Sequence, residues 1–256
     1  MFPSARVEGR IALVTGAGSG LGRAIAIGLA HAGADLGLTE LPGKEAAAEE
    51  TALAIQKMGR RALVLALDVR RLEMIEEVVD RMMSAFGRID ILVNNAGINV
   101  PKLAVDVTPE DWDLVLDTDL KGLFFTTQKV ATRTMIPHGG GKIINMASVM
   151  GMGGFRLRAA YCSAKAGVVN LTRVLAIEWA PYKINVNAIG PTFFETPLTR
   201  PMFEDQAFYD DVVGRIPLGR LGQPEDVVGA AVFLSSAAAN MITGHTLMVD
   251  GGWTAL

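Results

Sequence analysis

The 256-residue chain has little of several features that would define its class at once. Its single cysteine, Cys162, excludes an internal disulfide framework and a cysteine-rich metal site, and it is typical of a reducing cytoplasm. A formal net charge of −3 without a long basic run argues against nucleic acid or an anionic membrane as the main partner. The longest apolar runs are strand-length, well short of the roughly 20 residues of a membrane helix. The charged start MFPSARVEGR lacks the apolar core of a secretion signal.

The chain does contain a regular alternation of short apolar runs and longer amphipathic segments. Runs that are apolar on both faces and alternate with helices indicate a parallel sheet covered on both sides. The sequence therefore predicts an α/β fold with a doubly wound parallel sheet of about seven strands and helices on both faces. The predicted strands are residues 10–15, 34–40, 61–69, 89–95, 141–148, 183–189 and 246–251. The predicted helices include residues 20–33, 43–59, 71–87 and 109–135, with Gly33, Gly59 and Gly87 closing the first three.

The domain organisation is simple. The chain shows no internal repeat, low-complexity linker or composition break, so we expect one domain over residues 1–256. Thr108, Pro109 and Asp111 supply a cap, a first-turn proline and an early acid for a helix start. Residues 191–224 break the alternation, being rich in Pro, Phe and charge and too long for a simple connection. We expect this segment to be a functional insertion beside the substrate.

A glycine-rich turn follows the first predicted strand. Residues 15–22 read TGAGSGLG and lead into a helix. Glycines let a backbone approach an anion closely, and a helix N-terminus offers free N–H groups, so this context predicts phosphate binding. The residues expected to contribute are Gly16, Ser19, Gly20 and Leu21. The spacing Gly-x-x-x-Gly-x-Gly differs from the Gly-x-Gly-x-x-Gly fingerprint, and a ligand-free tight turn is the alternative.

The other predicted strand ends also carry polar residues. Glu40 ends the second strand, where an acid can accept a hydrogen bond from a ribose 2′-hydroxyl and repel a 2′-phosphate, which favours NAD over NADP. A plain surface acid is the alternative. Asp68-Val69 and Asn94-Asn95-Ala96-Gly97 close the third and fourth strands, at the edge where ligands bind in open α/β sheets. Each could also be an ordinary turn.

Tyr161 and Lys165 are spaced for proton transfer. Four residues are about one helical turn, so the ammonium lies near the phenol. A nearby cation favours the phenolate and lowers the tyrosine pKa, which suits general acid–base work. A half-buried helical tyrosine beside a solvated lysine is the alternative for this pair taken alone.

Taken together, these segments resemble the short-chain dehydrogenase/reductase superfamily over nearly the whole chain. The matching parts are the glycine turn, Asn94 to Gly97, Ser148 thirteen residues before Tyr161, Tyr161-x-x-x-Lys165, and Pro191 to Thr196. The resemblance implies a Rossmann-type domain that binds a nicotinamide cofactor, a small-molecule substrate and a homotetramer, and Glu40 and the single cysteine add the expectations of NAD as that cofactor and of a cytoplasmic location. It also implies that Ser148, Tyr161 and Lys165 are catalytic, with Tyr161 as the general acid–base. The implied cofactor contacts add Asp68, Val69, Asn94, Ala96, Gly97, Tyr161, Lys165, Pro191, Phe194 and Thr196.

Two positions depart from the family pattern. Asp119 stands in Asp-Leu-Lys-Gly where the family usually has a catalytic asparagine. An ionised aspartate accepts hydrogen bonds but cannot donate them, so Asp119 must be paired or protonated if it is buried. We hypothesise that it keeps a structural, water-holding role with an altered pH profile. Thr192 replaces the glycine that usually follows the proline, which implies a different loop path beside the nicotinamide.

The substrate is suggested by weaker signals. Met150, Phe155 and Phe193 are expected to line its pocket, and Arg156 or Arg158 could grip a carboxylate. Residues 187–199 and the tail DGGWTA resemble the gluconate 5-dehydrogenase-like branch, which implies a sugar acid or polyol oxidised at a secondary alcohol. Two alternatives stay open. One is a 3-oxoacyl carrier-protein reductase that uses NADPH, and the other is a cofactor-binding sensor or scaffold without turnover.

Overall fold

The sheet of this protein is entirely parallel and has seven strands in the order β3-β2-β1-β4-β5-β6-β7. The computed structural model describes residues 4–255. The strands are β1 Ile11–Val14, β2 Asp35–Glu40, β3 Ala62–Ala66, β4 Ile91–Asn94, β5 Gly141–Met146, β6 Ile184–Pro191 and β7 Thr246–Val249. The chain reverses its direction across the sheet between β1 and β4, the usual place for a ligand crevice. The predicted α/β, doubly wound sheet is confirmed.

Helices cover both faces of the sheet. They are α1 Gly20–His31, α2 Glu45–Lys57, α3 Leu72–Phe86, α4 Pro109–Leu116, α5 Leu123–Val130, α6 Ile136–His138, α7 Ala159–Trp179, α8 Gln206–Gly214 and α9 Val228–Ser235. Alternate strand residues serve opposite cores. Ala12 and Val14 pack in the core that includes α1, α2 and α9, whereas Ile11 and Leu13 pack in the core that includes α3, α5 and α7. In residues 4–255, no helix is long and apolar enough to span a bilayer.

The helix predicted over 109–135 is found, and its path is irregular. Thr108 and Asp111 form a reciprocal capping box at its start, with Pro109 in the first turn, as the sequence predicts. Between α4 and α5 the helix continues through a π-helical turn, Asp117–Gly122, and a second one, Ala131–Met135, follows α5. Such turns are rare and often occur at functional sites. The first of them carries Asp119.

The segment 191–224 folds onto the chain as a small aromatic unit. It contains a 3-10 helix, Arg200–Glu204, and α8. The ring of Phe193 lies within 6.0 Å of the rings of Phe155, Phe203, Phe208 and Trp253, measured between centroids. The tail is therefore packed as far as Trp253, and Leu256 lies outside the described residues.

Candidate active site

One cleft of about 580 Å³ lies across the carboxyl ends of β1 to β6. It brings together most residues that the sequence selects. These are Gly16, Ser19, Gly20, Leu21, Glu40, Asp68, Val69, Ala96, Gly97, Asp119, Ser148, Met150, Tyr161, Lys165, Pro191, Phe193, Phe194 and Thr196. Three predicted residues, Asn94, Phe155 and Arg156, do not line it.

The glycine turn gives the cleft a bare helix N-terminus. Ser19 precedes α1 without a side-chain capping bond, and the first turn of α1 contains no acid. A Cβ on Gly22 would lie 2.1 Å from the Gly16 carbonyl oxygen, so only glycine permits this tight packing. The uncapped N–H groups and the positive end of the helix dipole suit a diphosphate.

Glu40 ends β2 beside the glycine turn, and Asp68 follows β3. The Glu40 carboxylate accepts the Gly18 N–H at 3.2 Å and the Leu41 N–H at 2.9 Å, so its position is fixed by backbone. Both oxygens of Asp68 accept hydrogen bonds from Arg70, which holds the pKa of Asp68 below its usual range. Both carboxylates line the cleft, with Glu40 held by backbone N–H groups and Asp68 paired with Arg70.

The Asn94 side chain, unlike most of the predicted cofactor contacts, does not line the cleft. Asn94 lies in β4 on the face of the sheet toward α5, where its Nδ2 donates to Thr127 Oγ1 at 2.7 Å and Asn145 Oδ1 at 2.9 Å. Its side chain therefore ties strands to a helix and does not reach the cleft. The next residue, Asn95, lines the cleft and donates to the carbonyl oxygens of Thr15 and Gly16 at 2.9 Å.

The catalytic candidates converge where β5 ends and α7 begins. Lys165 is buried, and its Nζ donates to the Met146 carbonyl oxygen at 2.9 Å and lies 5.4 Å from the centroid of the Tyr161 ring. Ser148 follows β5, and its hydroxyl accepts the Met150 N–H at 3.1 Å. Serine, tyrosine and lysine thus face one cavity in the order the sequence predicts.

Asp119 completes this cluster from the π-helical turn. It is 0% exposed, its Oδ1 accepts the Ile98 N–H at 2.8 Å, and its Oδ2 forms an ion pair with Lys165 Nζ at 3.0 Å. Burial raises the pKa of Asp119, and the Lys165 charge opposes that rise. Burial pulls the pKa of Lys165 down, but the Asp119 carboxylate leaves it above its ordinary value. Lys165 is therefore an ammonium, fixed from two sides.

The pKa of Tyr161 is raised above its ordinary value, whereas the sequence predicts that Lys165 lowers it. Burial raises the pKa of Tyr161, and the Asp119 charge raises it further. Lys165, the Ser148 hydroxyl and Arg158 each lower it, as the Tyr-x-x-x-Lys spacing predicts for the lysine, but less than burial raises it.

The arginine at the site is Arg158 rather than Arg156. Arg156 is exposed and does not line the cleft, whereas Arg158 is 5% exposed and does. Phe155 is turned into the aromatic unit, where the Arg215 guanidinium lies 5.7 Å from its ring centroid. Sequence reasoning missed Asn99, which lines the cleft, and it covered Leu198 and Met202 only as part of the segment 191–224.

A doubly wound sheet, a glycine turn at its crevice and a Ser-Tyr-Lys cluster define a nicotinamide-dependent oxidoreductase. A family model described as "Enoyl-(Acyl carrier protein) reductase" matches residues 16–254. The chain belongs to the short-chain dehydrogenase/reductase family, and it is an NAD(P)-dependent oxidoreductase that acts on CH–OH groups.

Similar proteins agree over the whole length. The 2-dehydro-3-deoxy-D-gluconate 5-dehydrogenase of Escherichia coli (strain K12) is 42% identical over 97% of each chain. The NAD-dependent glycerol dehydrogenase of Listeria innocua is 42% identical over 97% of this chain and 95% of its own. The crystal structure of a gluconate 5-dehydrogenase from Burkholderia cenocepacia J2315, in complex with NADP and tartrate, superposes with a TM-score of 0.93 at 39% identity, covering 98% of each chain. These relatives favour a sugar-acid or polyol dehydrogenase over the carrier-protein reductase.

Proposed function

We propose that this protein transfers a hydride between NAD(H) and a secondary alcohol or ketone of a sugar acid or polyol. The observation that carries the proposal is the convergence of Ser148, Tyr161 and Lys165 on the cleft that also contains the uncapped N-terminus of α1. The names of the relatives support the substrate class. An intact catalytic cluster argues against a sensor without turnover.

Ser148, Tyr161 and Lys165 each have a separate role in the proposed reaction. When bound, the nicotinamide cofactor supplies or accepts the hydride. The Tyr161 phenolate takes the proton from an alcohol as the hydride leaves, and in the reverse direction the Tyr161 hydroxyl returns that proton to the carbonyl oxygen. The Ser148 hydroxyl donates a hydrogen bond to that oxygen and stabilises the charge that develops on it. Lys165, fixed by Met146 and Asp119, keeps a positive charge beside the phenol, which lowers the free energy of the phenolate.

The cofactor part of the proposal depends on Glu40. Its carboxylate lines the cleft and would repel a 2′-phosphate, which supports NAD. Lys44 and Arg70 line the cleft too, so charge of the other sign is close by. We expect Glu40→Gln to raise kcat/KM for NADP relative to NAD by roughly tenfold, the equivalent of about 1.4 kcal/mol. Glu45→Gln, at the half-buried start of α2 and outside the cleft, is the control, and a wild-type preference for NADP would refute this assignment.

The reaction is tested with a panel of polyols, sugar acids and β-keto esters, with NAD and NADP, followed by the absorbance of the reduced nicotinamide. Turnover of a polyol or sugar acid supports the proposal, and turnover of β-keto esters alone contradicts it. Tyr161→Phe is expected to lower kcat by roughly 10²–10⁴-fold while NADH still binds, since only the transferable proton is lost. Tyr182→Phe, at an exposed tyrosine, is the matched control.

The insertion, assembly and location are part of the same proposal. Phe193, Leu198 and Met202 line the cleft from the segment 191–224, which supports its role as the substrate loop.

Exposed apolar residues on α7, Val174 at 41% and Ile177 at 76%, support a homotetramer built on long helices. Sedimentation as a monomer at micromolar concentration would count against it. The single cysteine supports a cytoplasmic location.

A further inference from the structure

Arg158 is a buried cation whose counter-ion is missing from the described chain. The residue is 5% exposed, and within residues 4–255 no other arginine is buried to this extent. No carboxylate in that range forms an ion pair with it. Arg60, Arg70 and Arg220, all more exposed, each pair with an aspartate. Burying an unpaired charge is unfavourable, so its persistence beside the catalytic tyrosine needs an explanation.

The chain holds this guanidinium in place while leaving most of it free. Nη1 donates to the Leu157 carbonyl oxygen at 3.2 Å, and Nη2 points to Met202 Sδ at 3.5 Å. A guanidinium has five N–H donors, so three are left for another partner. The weak sulfur acceptor supplies no charge, and it lies on the segment 191–224.

The backbone next to Arg158 is also unusual. Leu157 has φ = 63°, in the left-handed region that a residue other than glycine rarely adopts. Its carbonyl oxygen is held by the Lys102 N–H at 3.3 Å, and Lys102 and Arg158 form a parallel bridge. Strained residues of this kind cluster at ligand sites. Leu157 lies between two arginines, and the side chain of Arg158 points into the protein whereas that of Arg156 points to solvent.

The position of Arg158 fits a substrate that carries an acid away from its reacting carbon. It is the residue that directly precedes α7, three positions before Tyr161, and both side chains line the same cleft. An arginine stays protonated at any working pH, and its planar fork matches a carboxylate in a bidentate pair.

We propose that Arg158 binds the carboxylate of the substrate and makes this enzyme select sugar acids over the corresponding polyols. The inference rests on the proposed function and narrows its substrate class to carboxylates. The substrate acid replaces the counter-ion that the described chain lacks, and Met202 closes the apolar side of that contact.

The test compares gluconate with glucitol, in which a CH₂OH group replaces the carboxylate. Arg158→Met is expected to raise KM for gluconate at least tenfold more than KM for glucitol, and roughly 100-fold in absolute terms, as is usual when one partner of a buried charge pair is removed. Arg158→Lys keeps the charge without the fork and should recover part of the loss. Arg156→Met, two residues away and outside the cleft, is the matched control, with less than a twofold change expected. Thermal melting of each variant shows whether it folds, and Arg158→Gln replaces Arg158→Met if it does not.

The outcomes separate this inference from the proposed function. An equal loss on both substrates assigns Arg158 a structural role and overturns the inference. A wild-type enzyme that oxidises glucitol but not gluconate does the same, while the proposed function stands. If neither substrate is turned over, the proposed function fails for them, and calorimetry of gluconate with the NADH-loaded protein decides. Binding to the wild type that is lost in Arg158→Met supports a carboxylate site, and absence of binding to the wild type overturns it.

Discussion

Two lysines have their ammonium groups at opposite ends of strand β5, and the pKa values of these groups shift in opposite directions. Near the amino end, Lys142 Nζ donates to Asn185 Oδ1 and Asn240 Oδ1, both at 2.9 Å. Burial, with the Arg10 charge, lowers the pKa of Lys142 to about 8. At the carboxyl end, Lys165 Nζ donates to the Met146 carbonyl oxygen and pairs with Asp119, and its pKa is raised.

The difference separates the effect of burial on the pKa of a lysine from the effect of a neighbouring carboxylate. Burial is the largest influence on both ammonium groups, and it lowers the pKa of both. Amide oxygens satisfy the hydrogen bonds of Lys142 without compensating its charge. The Asp119 carboxylate reverses the direction of the pKa shift at Lys165 and therefore keeps this lysine charged. Exchanging these environments tests the comparison.

The largest effect is expected from removing the charge at the catalytic end. Lys165→Met takes away the cation beside Tyr161 and leaves the Asp119 carboxylate buried without its partner. We expect kcat to fall by roughly 10³-fold, within the range for loss of acid–base assistance, and stability to fall by about 3–5 kcal/mol. Steady-state rates and urea unfolding measure both. Lys142→Met is the matched control, with kcat within twofold of wild type, and a kcat of Lys165→Met within tenfold of wild type would contradict the assignment.

The next effect comes from giving Lys165 an amide neighbour like those of Lys142. Asp119→Asn removes a carboxylate that raises the pKa values of Lys165 and Tyr161, so both should fall. Alcohol oxidation needs the phenolate, and its acidic limb in the profile of kcat/KM against pH should therefore move to lower pH. Asp117→Asn, a more exposed neighbour on the same helix, should leave the profile in place. An unchanged profile in Asp119→Asn would end the hypothesis that this carboxylate tunes the site.

The smallest effect is expected on stability, when Lys142 at the amino end of β5 is given a carboxylate neighbour like that of Lys165. Because the folded pKa of Lys142, about 8, is below its ordinary 10.5, the unfolded chain holds more protons between these values, and Lys142 makes stability rise with pH there. Asn240→Asp places a carboxylate beside the ammonium and should raise that pKa, which weakens this rise. Asn240 is exposed, so we expect a difference of about 0.5 kcal/mol. Urea unfolding at pH 7 and pH 10 measures it, and the same difference in a Lys142→Gln background would show that the lysine is not responsible.

The sequence predicts the cofactor half of the cleft better than the substrate half, for physical reasons. Strand periodicity and the glycine turn are local signals, and the residues they single out, Gly16, Ser19, Gly20, Leu21 and Glu40, all line the cleft. Asn94 ends β4 and Asn95 follows it, their side chains point to different sides of the sheet, and a turn-like motif does not tell which one faces the cleft. Arg156 and Arg158 are equivalent in the string FRLRAA until the left-handed conformation of Leu157 separates them. The net pKa of Tyr161 depends on burial, which is a property of the assembled fold.

The π-helical turn at Asp117–Gly122 also limits how this helix can change in length. Such a turn holds one residue more than an α-helical turn, and each α-helical residue rotates the chain by about 100°. Deleting one residue here would make the helix more regular, yet it would rotate Asp119 relative to the rest of the helix and separate it from Lys165. We therefore expect a one-residue deletion here to break the Asp119–Lys165 pair even though it favours the isolated helix, because the length of the chain at this point sets which side chain meets Lys165.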